Sequence, residues 1–481
     1  MHPPEITTGA AAAGWRAEAG AMLALAWPLA LTNLAQIALT ATDTAFLGRH
    51  STAALAAVTI GAALWWALLA PAFGIAFAAA AMLAQEHGRG GRGRVRRMRR
   101  TVRAALQGGL LACLPSALAI WHAEPVLLAL GQDPALAALA QDYLRAMIWG
   151  LPGFLAFLVL RGFLAALERP RPALAVSLLA IGLNAALGWA LIFGHAGLPA
   201  LGVAGAGQAS AASELFMAAA LAALCARDRR LRRYRLAGRL WRWDGARLAE
   251  LARLGAPITV QMALEIGMFG AVGLLMGQLG AAAVAAHAVA LQLSGLSFMV
   301  PLGVGQAATA RVGAAAGAGR PVALRRAGWI AIGLGAGFMA LAALAMLLLP
   351  GRLAGLFLRL EGAEGAAVAG LAAQLVMIAG LFQLGDGVQS VAGGALRGLQ
   401  DTRVPMLFAA GGYWLLGLPL GWALAMPLGL GPPGVWTGLA VGITLVAGLM
   451  TWRWSRLSRG AGAGFGRMAW HRQARPSGGA G

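Results

Sequence analysis

Four carboxylates lie well inside long apolar runs of this sequence: Asp43, Glu214, Glu265 and Asp386. A charged side chain at the centre of a bilayer costs about 2.5–3.5 kcal/mol on insertion scales. Arginines within the same runs are few, and Arg161 is the deepest of them, so internal ion pairing does not explain all four acids. Burial favours the neutral form of a carboxyl group, which can then bind a proton near neutral pH. These residue types predict a site for a proton or a small cation.

Glutamines accompany three of these acids at helical spacing. Gln36 precedes Asp43 by seven residues, and Gln261 precedes Glu265 by four. A third set steps by three residues along one run: Gln383, Asp386 and Gln389. Such spacings place each set on one face of a helix. We predict that the three acids couple an ion or a proton to the function, and that the glutamines support them.

The stripe around Asp386 is flanked by Gly385 and Gly387, which permit close backbone approach or local unwinding. A polar stripe with a single carboxylate suits a proton or a small cation. The alternative is a polar face whose groups are satisfied across a helix interface. Glu214 has only Ser210 as a polar neighbour at helical spacing, so its role stays open.

The composition places these residues in a membrane protein. The 481-residue chain is 59% hydrophobic and only 11% charged, about half the charged fraction that is usual in soluble proteins. Apolar runs of about 18 or more residues recur along the chain, and each is long enough to cross a bilayer as a helix. The polar connections are too short for a separate soluble domain. We therefore predict an all-α polytopic protein whose surroundings are the lipid bilayer.

Twelve predicted spans account for the apolar runs. They begin near Met22, Thr52, Thr101, Asp142, Pro172, Leu201, Leu251, Ala281, Val322, Ala366, Arg403 and Gly434. The net charge of +21 comes from arginines between these runs, which is the positive-inside pattern and not a sign of nucleic-acid binding. Alternate loops hold eight arginines in 89–103, ten in 227–253 and two in 397–403. We expect these loops and both termini to be cytoplasmic, in a bacterial inner membrane.

The two halves of the chain are related by a faint repeat. Pro28 matches Pro257 and Gly88 matches Gly317 at an offset of 229 residues, which later drifts to 232 or 233. Six spans per half make the halves parallel, an arrangement of secondary transporters in which the substrate site lies between the halves. We predict two pseudo-symmetric six-helix lobes, divided as follows: N-terminal lobe 1–226, cytoplasmic basic linker 227–253, C-terminal lobe 254–458 and flexible basic tail 459–481.

Several short segments, in this order and spacing, make the chain similar to a known family. They read WPLALTNLAQIALTATDTAFLG (Trp27–Gly48), AAHAVA (Ala285–Ala290), ATARVGAAAGAG (Ala308–Gly319) and GALRGLQDTRVPM (Gly394–Met406). Over nearly its whole length the chain resembles the multidrug and toxic compound extrusion (MATE) transporters, and among them the NorM-like branch.

The resemblance also implies where ions bind. It implies a site for H+ or Na+ at Glu265 and Asp386, and a polar cluster in the N-terminal half around Asp43. The members of that cluster are Gln36, Asn184 and Ser210. Gly188 stands where the DinF-like branch has a second aspartate, and Phe382 stands where NorM-like members often carry an aromatic hydroxyl. No other metal and no cofactor are expected.

Aromatic and methionine side chains predict the substrate class. Met268, Phe269, Phe298 and Tyr413 suit flat cationic ligands through cation–π and thioether contacts, although packing or lipid-facing roles are the alternative for each. We expect a monomeric secondary active antiporter without catalytic activity. It would export amphipathic, often cationic compounds in exchange for H+ or Na+ by alternating access.

Two other functions fit the membrane acids and arginines less well than an antiporter does. A lipid-linked oligosaccharide flippase of the same superfamily would line its cavity with arginines, whereas here the membrane acids outnumber the arginines within the spans. A membrane-embedded transferase would need clustered aspartates or a His/Asp pair. Asp401 stands alone and His287 has no acidic neighbour in sequence, which disfavours an enzyme.

Overall fold

A computed structural model describes residues 14–236, 238, 240–357 and 362–460 of the chain. Every regular element in these residues is a helix, which confirms the predicted fold class. The predicted basic tail, 459–481, lies outside the described residues beyond Gly460, where the last helix ends.

The N-terminal half forms helices α1 to α9. They are α1 (Trp15–His50), α2 (Thr52–Leu68), α3 (Ala70–Arg89), α4 (Arg94–Trp121), α5 (Ala123–Ala129), α6 (Pro134–Met147), α7 (Leu151–Ala166), α8 (Arg171–Phe193) and α9 (Gly202–Arg227). Helices α2 and α3 make one span that is bent by 43°. Pro71 follows this break, because a proline has no amide hydrogen with which to continue a helix. Helices α6 and α7 join through a 3-10 turn into one further span.

The C-terminal half forms helices α10 to α17. They are α10 (Gly245–Gln278), α11 (Ala281–Gly317), α12 (Pro321–Leu348), α13 (Pro350–Gly355), α14 (Gly362–Gly398), α15 (Arg403–Ala409), α16 (Leu418–Ala425) and α17 (Gly431–Gly460). The π-helical turn Ala410–Gly417 joins α15 and α16 into one span. With the bent pair counted once, the described residues hold the twelve predicted spans.

Some spans begin earlier than the apolar pattern predicts. Helix α4 begins at Arg94 instead of near Thr101. Helix α10 begins at Gly245, inside the segment predicted as linker, because Asp244 caps it by accepting a hydrogen bond from the Arg247 amide at 3.3 Å. Hydropathy marks only the part of a helix that lies in hydrocarbon, while backbone hydrogen bonding continues into polar residues.

Each lobe has its own apolar core, and α1 contributes to both cores. Leu39 and Leu47 of α1 are buried in the core of the N-terminal lobe. Met22 and Leu25, nearer its start, are buried in the core of the C-terminal lobe. The first span therefore passes from one lobe to the other.

Repeat-related glycines lie where the lobes touch. A Cβ atom on Gly88 of α3 would come within 1.9 Å of the Ala314 carbonyl oxygen on α11. A Cβ atom on Gly317 of α11 would come within 2.0 Å of the Gln85 carbonyl oxygen on α3. Each residue of the first contact is 229 residues from its counterpart in the second, so the two contacts are pseudo-symmetric. Helices approach this closely only at residues without a side chain, which explains the matched glycines.

Ion pairs join the lobes at the arginine-rich end. Arg311 of α11 donates to both carboxylate oxygens of Glu18, at 2.6 and 2.8 Å, and to Glu168 at 2.9 Å. Arg247 of α10 donates to the buried Glu86 of α3 at 2.7 Å. Glu18 and Arg247 are equivalent positions of the repeat, but their partners are not: Arg311 corresponds to Met82, one helical turn before Glu86 on α3. Together with the glycine contacts, the ion pairs close this end of the molecule.

Candidate functional site

A cavity of about 380 Å³, here called the central cavity, lies between the two lobes. Helices α1, α2, α3 and α7 line it on one side, and α10, α11 and α14 on the other. Its wall carries these aromatic side chains: Trp66, Phe73, Phe77, Phe154, Phe269 and Phe298. A cavity of this size, mostly apolar and with a few polar groups, is typical of a small-molecule site.

A polar cluster lies in the wall formed by the N-terminal lobe. Arg161 donates a hydrogen bond to Asn33 Oδ1 at 2.9 Å, and Gln306 Nε2 lies 3.5 Å from the same oxygen. The Arg161 guanidinium carbon is 5.9 Å from the centroid of the Phe157 ring, within cation–π range. Glu214 of α9, whose role the sequence leaves open, interacts electrostatically with Arg161. The positive charge in this wall is therefore shared among buried neighbours.

Glu265 is a half-buried carboxylate in the opposite wall, one helical turn after Gln261, which also lines the central cavity. Arg397 of α14 interacts electrostatically with Glu265. The Arg397 guanidinium carbon lies 5.1 Å from the centroid of the Phe77 ring. Among the described residues that line the cavity, Glu265 is the one acid and Arg161 and Arg397 are the two bases. The wall thus combines both signs of charge with aromatic surface.

Asp386 lies behind this wall on α14, and only 5% of it is exposed. It interacts electrostatically with Glu265, so the structure brings together the two residues of the predicted ion site, here called the acid pair. The described residues offer no hydrogen-bond partner to Asp386 Oδ1. The buried Tyr413 hydroxyl interacts electrostatically with both acids. These oxygen atoms suit a proton or a hard cation.

The glycines that flank Asp386 allow neighbouring helices to approach. A Cβ atom on Gly387 would come within 2.3 Å of Met339 Cγ on α12, and one on Gly385 within 3.1 Å of Thr444 Oγ1 on α17. Helix α14 runs unbroken through both positions. Of the two expectations for these glycines, close approach is therefore the one that the structure supports.

Gln383 and Phe382 anchor α14 near the acid pair. The amide of Gln383 donates to the Ser297 hydroxyl of α11 and is fully buried, away from the central cavity. The Phe382 ring packs edge to face on Phe269 and Trp436, with centroids 6.3 and 5.8 Å away. The hydroxyl that Phe382 lacks has a counterpart in Tyr413, which reaches the acid pair from the eleventh span.

Asp43 of the N-terminal lobe has different surroundings. It is 1% exposed, and its Oδ2 accepts a hydrogen bond from the Ser210 hydroxyl. Asn184 Nδ2 donates to Ser210 Oγ at 3.3 Å, so the structure brings these three residues of the implied cluster together. The fourth member, Gln36, has its Nε2 3.8 Å from Met217 Sδ, and it lines both the central cavity and a smaller cavity that Ser210 also lines. Asp43 does not line that cavity.

The predicted substrate-lining residues divide into two groups. Phe269 and Phe298 line the central cavity. Met268 does not line it, because Met268, Val272 and Met276 form a stripe at four-residue spacing that is buried in the core of the C-terminal lobe. Tyr413 is fully buried beside the acid pair and does not reach the cavity wall either.

Arg397 is a cavity residue that the sequence interpretation missed. It falls in a stretch predicted as a loop from its charge, but it lies in the last turn of α14 and lines the central cavity. The signal for it was the continued spacing of Asp386, Ser390, Gly393 and Arg397, which are three or four residues apart and share one helix face.

Comparison with known proteins agrees with the duplicated architecture. The model of the MatE family matches residues 28–190 and again 257–423. The two matches begin 229 residues apart (257 − 28), which is the offset of the sequence repeat. A "probable multidrug resistance protein NorM" of Mesorhizobium japonicum is 47% identical, over 92% of this chain and 95% of the relative. The protein of the same name from Brucella suis is 46% identical, over 92% and 94%.

Solved structures share the fold. The eukaryotic MATE transporter AtDTX14 matches with a TM-score of 0.83 at 20% identity, over 93% of this chain and 99% of that one. The Vibrio cholerae MATE transporter VcmN in its bent form matches with a TM-score of 0.79 at 20% identity, over 93% and 98%. Given the twofold match of the family model and these closely similar relatives, the chain belongs to the MatE family, the multidrug and toxic compound extrusion family that its sequence segments resemble.

Proposed function

We propose that this chain is a secondary active multidrug efflux transporter that exchanges a cation, H+ or Na+, for amphipathic and often cationic organic compounds. The observation that carries the proposal is Glu265, a carboxylate in the wall of an aromatic cavity between two lobes. Aromatic faces and a negative charge both attract flat organic cations. The similarity to proteins named multidrug resistance proteins supports the same substrate class.

Coupling rests on competition for the acid pair. A proton or Na+ bound at Glu265 and Asp386 removes the negative charge that an organic cation in the central cavity needs. An ion drives such a cycle only if it binds two conformations of the transporter with different affinity. Glu265 lies in the wall of a cavity that both lobes line, so its surroundings would change if the lobes moved.

Alternating access requires the closed end of the molecule to open. The connections Arg311–Glu18 and Arg247–Glu86 would separate, together with the close contacts at Gly88 and Gly317. Since the arginine-rich end is cytoplasmic under the positive-inside rule, the conformation described here is closed toward the cytoplasm, with both termini on that side of the bacterial inner membrane. One chain contains both lobes, the cavity and the acids, so the monomer is the functional unit.

The two arginines of the central cavity are the feature that a lipid-linked oligosaccharide flippase would use. Across the spans the acids outnumber the arginines, but in the cavity wall Arg161 and Arg397 face a single acid. Arg161 is hydrogen-bonded to Asn33, and Arg397 is attracted to Glu265. A pyrophosphate would have to compete with Asn33 for Arg161 and with Glu265 for Arg397, whereas an organic cation competes only with Arg397 for Glu265. This comparison favours the export of amphipathic cations.

Transport by the purified protein in proteoliposomes tests the proposal. Ethidium efflux is measured with proton and sodium gradients imposed separately, and wild type is expected to respond to at least one gradient. Asp386→Asn should lower the driven rate by at least about tenfold, because an amide cannot exchange the cation. Asp142→Asn, an exposed acid of α6, is the matched control. Driven efflux at the wild-type rate in a correctly inserted Asp386→Asn protein would contradict the proposal.

A further inference from the structure

An apolar groove of about 290 Å³ lies outside both lobe cores, between α4 and the segment 240–243 of the inter-lobe connection. Its lining side chains are Leu110, Leu111, Leu114, Leu240, Trp241 and Trp243. Trp241 and Trp243 are 75% and 61% exposed. The segment is held against α4 by Gln107, whose Nε2 donates to the carbonyl oxygens of Leu240 and Arg242 at 2.5 and 3.3 Å.

One face of α4 changes from basic to apolar as it passes this groove. Arg99, Arg103, Gln107, Leu111 and Leu114 follow one another at steps of three or four residues and therefore share that face. At 1.5 Å per residue, the path from Arg103 to Leu114 is about 16 Å long. That length reaches from the headgroup region of a leaflet well into its acyl chains.

Positive charge exceeds negative charge at the basic end of the groove. Arg99, Arg100, Arg103 and Arg242 lie within electrostatic reach of one another, and Asp244 is an acid among them. Asp244 already accepts a hydrogen bond from Arg100 at 2.5 Å and caps α10. A phosphate group would find excess positive charge there, directly above apolar surface.

We propose that this groove, here called the lipid groove, binds one anionic glycerophospholipid. The phosphate lies at the arginines, an acyl chain lies along the leucines of α4, and the two exposed indoles lie at the level of the headgroups, where tryptophan is favoured. Basic pockets on the cytoplasmic side of membrane helices bind anionic headgroups for the same electrostatic reason. The site stands whether or not the chain exports drugs, because it uses none of the cavity residues.

The bound lipid would stabilise the connection between the lobes. Segment 240–243 leads directly into Asp244 and α10 of the C-terminal lobe, while α4 belongs to the N-terminal lobe. A lipid that contacts both the segment and α4 adds apolar contacts to the hydrogen bonds of Gln107. We therefore expect anionic lipid to raise the thermal stability of the purified protein more than neutral lipid does.

Native mass spectrometry of delipidated protein, titrated with phosphatidylglycerol or phosphatidylcholine of identical acyl chains, tests this site. Wild type should bind the first phosphatidylglycerol about tenfold more tightly than phosphatidylcholine. Arg99→Gln/Arg242→Gln should reduce this preference to within about twofold. The control Arg320→Gln/Arg325→Gln removes the same charge from exposed positions at the start of α12 and should keep it.

The lipid groove is contradicted if wild type shows no preference for the anionic lipid, or if Arg99→Gln/Arg242→Gln keeps the preference. It is also contradicted if the control loses the preference as fully as that variant. If the double variant does not fold, Arg242→Gln alone serves, because Arg242 is an exposed side chain. Trp241→Ala/Trp243→Ala adds a separate readout, since it should weaken the binding of both lipids. If this variant bound both lipids as tightly as wild type does, the lipid would not lie in the groove.

Discussion

The buried acids of the two lobes lie in different surroundings, although the lobes share one architecture. Asp43 is hydrogen-bonded to Ser210, which is bonded in turn to Asn184, and it does not reach the central cavity. In the C-terminal lobe, Glu265 lies in the cavity wall, with Asp386 behind it and Arg397 nearby. Two lobes of similar fold therefore bury acids in different surroundings, and of these three acids only Glu265 lies where a molecule in the central cavity could contact it.

The different surroundings affect how readily each acid can exchange the groups bound to it. We expect an acid with neutral hydrogen-bond partners to keep those partners during a transport cycle. Each such hydrogen bond contributes about 0.5–1.5 kcal/mol to the free energy of unfolding. An acid in a cavity wall can exchange its neighbours among a cation, an organic cation and the guanidinium of Arg397. We therefore expect the C-terminal acid pair to respond to substrate and Asp43 to act indirectly.

The largest expected effect is at Glu265. Glu265→Gln removes the one acid among the described residues of the cavity wall and should lower driven ethidium efflux by more than about tenfold. Asp142→Asn, the exposed acid of α6, is again the control and should retain most of the rate. Efflux by the Glu265 variant that equals the control would break the comparison of the two lobes.

Asp43→Asn should have a smaller effect of a different kind. The amide keeps a hydrogen bond to Ser210 but loses the charge-assisted part, which is worth on the order of 1 kcal/mol, or about fivefold in rate. Ethidium affinity, measured by fluorescence titration, should stay within about twofold of wild type because Asp43 does not line the cavity. An affinity loss as large as that of Glu265→Gln would show that the two sites are equivalent after all.

The glycine contacts sharpen the comparison, because here the lobes should behave alike. Gly88→Ala and Gly317→Ala each place a methyl group against a carbonyl oxygen of the other lobe and should destabilise the closed end by about 1–3 kcal/mol. Spin labels at Arg96 and Arg325, in a background without Cys113 and Cys225, should report longer distances for both variants. Gly337→Ala adds a methyl group where nothing lies within 4 Å and should leave the distances unchanged.

A substitution of Arg397 tests whether the nearby guanidinium makes the acid pair behave differently from Asp43. Arg397→Gln removes a positive charge that would compete with the proposed coupling cation at Glu265, a competition worth on the order of 1 kcal/mol. The cation concentration that half-saturates transport should therefore fall by about fivefold, while Arg325→Gln leaves it unchanged. A rise in that concentration would mean that Arg397 helps to bind the cation.

The smallest expected effect is at the connection between the lobes. Asp244→Ala removes the cap of α10 and the contact with Arg100, and should cost about 1 kcal/mol, seen as a lower Tm in detergent. The hydrogen bond from Arg100 holds the pKa of Asp244 below its usual range. This contribution is therefore present above the unfolded-state pKa of about 4 and is lost as the pH falls below it. A Tm difference that grows toward acid pH would contradict this assignment.

Much of the fold could be predicted because apolar runs and the repeat at a 229-residue offset are visible in the sequence without knowledge of the packing. The matched glycines Gly88 and Gly317 were visible as a repeat, and the structure supplies their reason, which is the contact between the lobes. Helix bounds were less predictable, because α4 and α10 extend into polar residues that hydropathy assigns to loops.

The site was predictable only in part. Spacing placed Gln261 with Glu265 on one face, and the resemblance implied the grouping of Asp43, Asn184 and Ser210. Spacing alone could not show which face of α10 turns to the cavity, so Met268 was expected there although it packs in the core. Arg397 was missed because its charge indicated a loop, and only the packing of α14 against its neighbours reveals that it lines the cavity.

The most direct test of the account is whether binding of an organic cation displaces the coupling cation from the acid pair. Ethidium is mixed with purified protein in a weakly buffered solution, and released protons or displaced radioactive Na+ are counted per protein. We predict release by wild type and by Asp43→Asn, and none by Glu265→Gln at ethidium concentrations that saturate each protein. Release by Glu265→Gln equal to that of wild type would contradict the account.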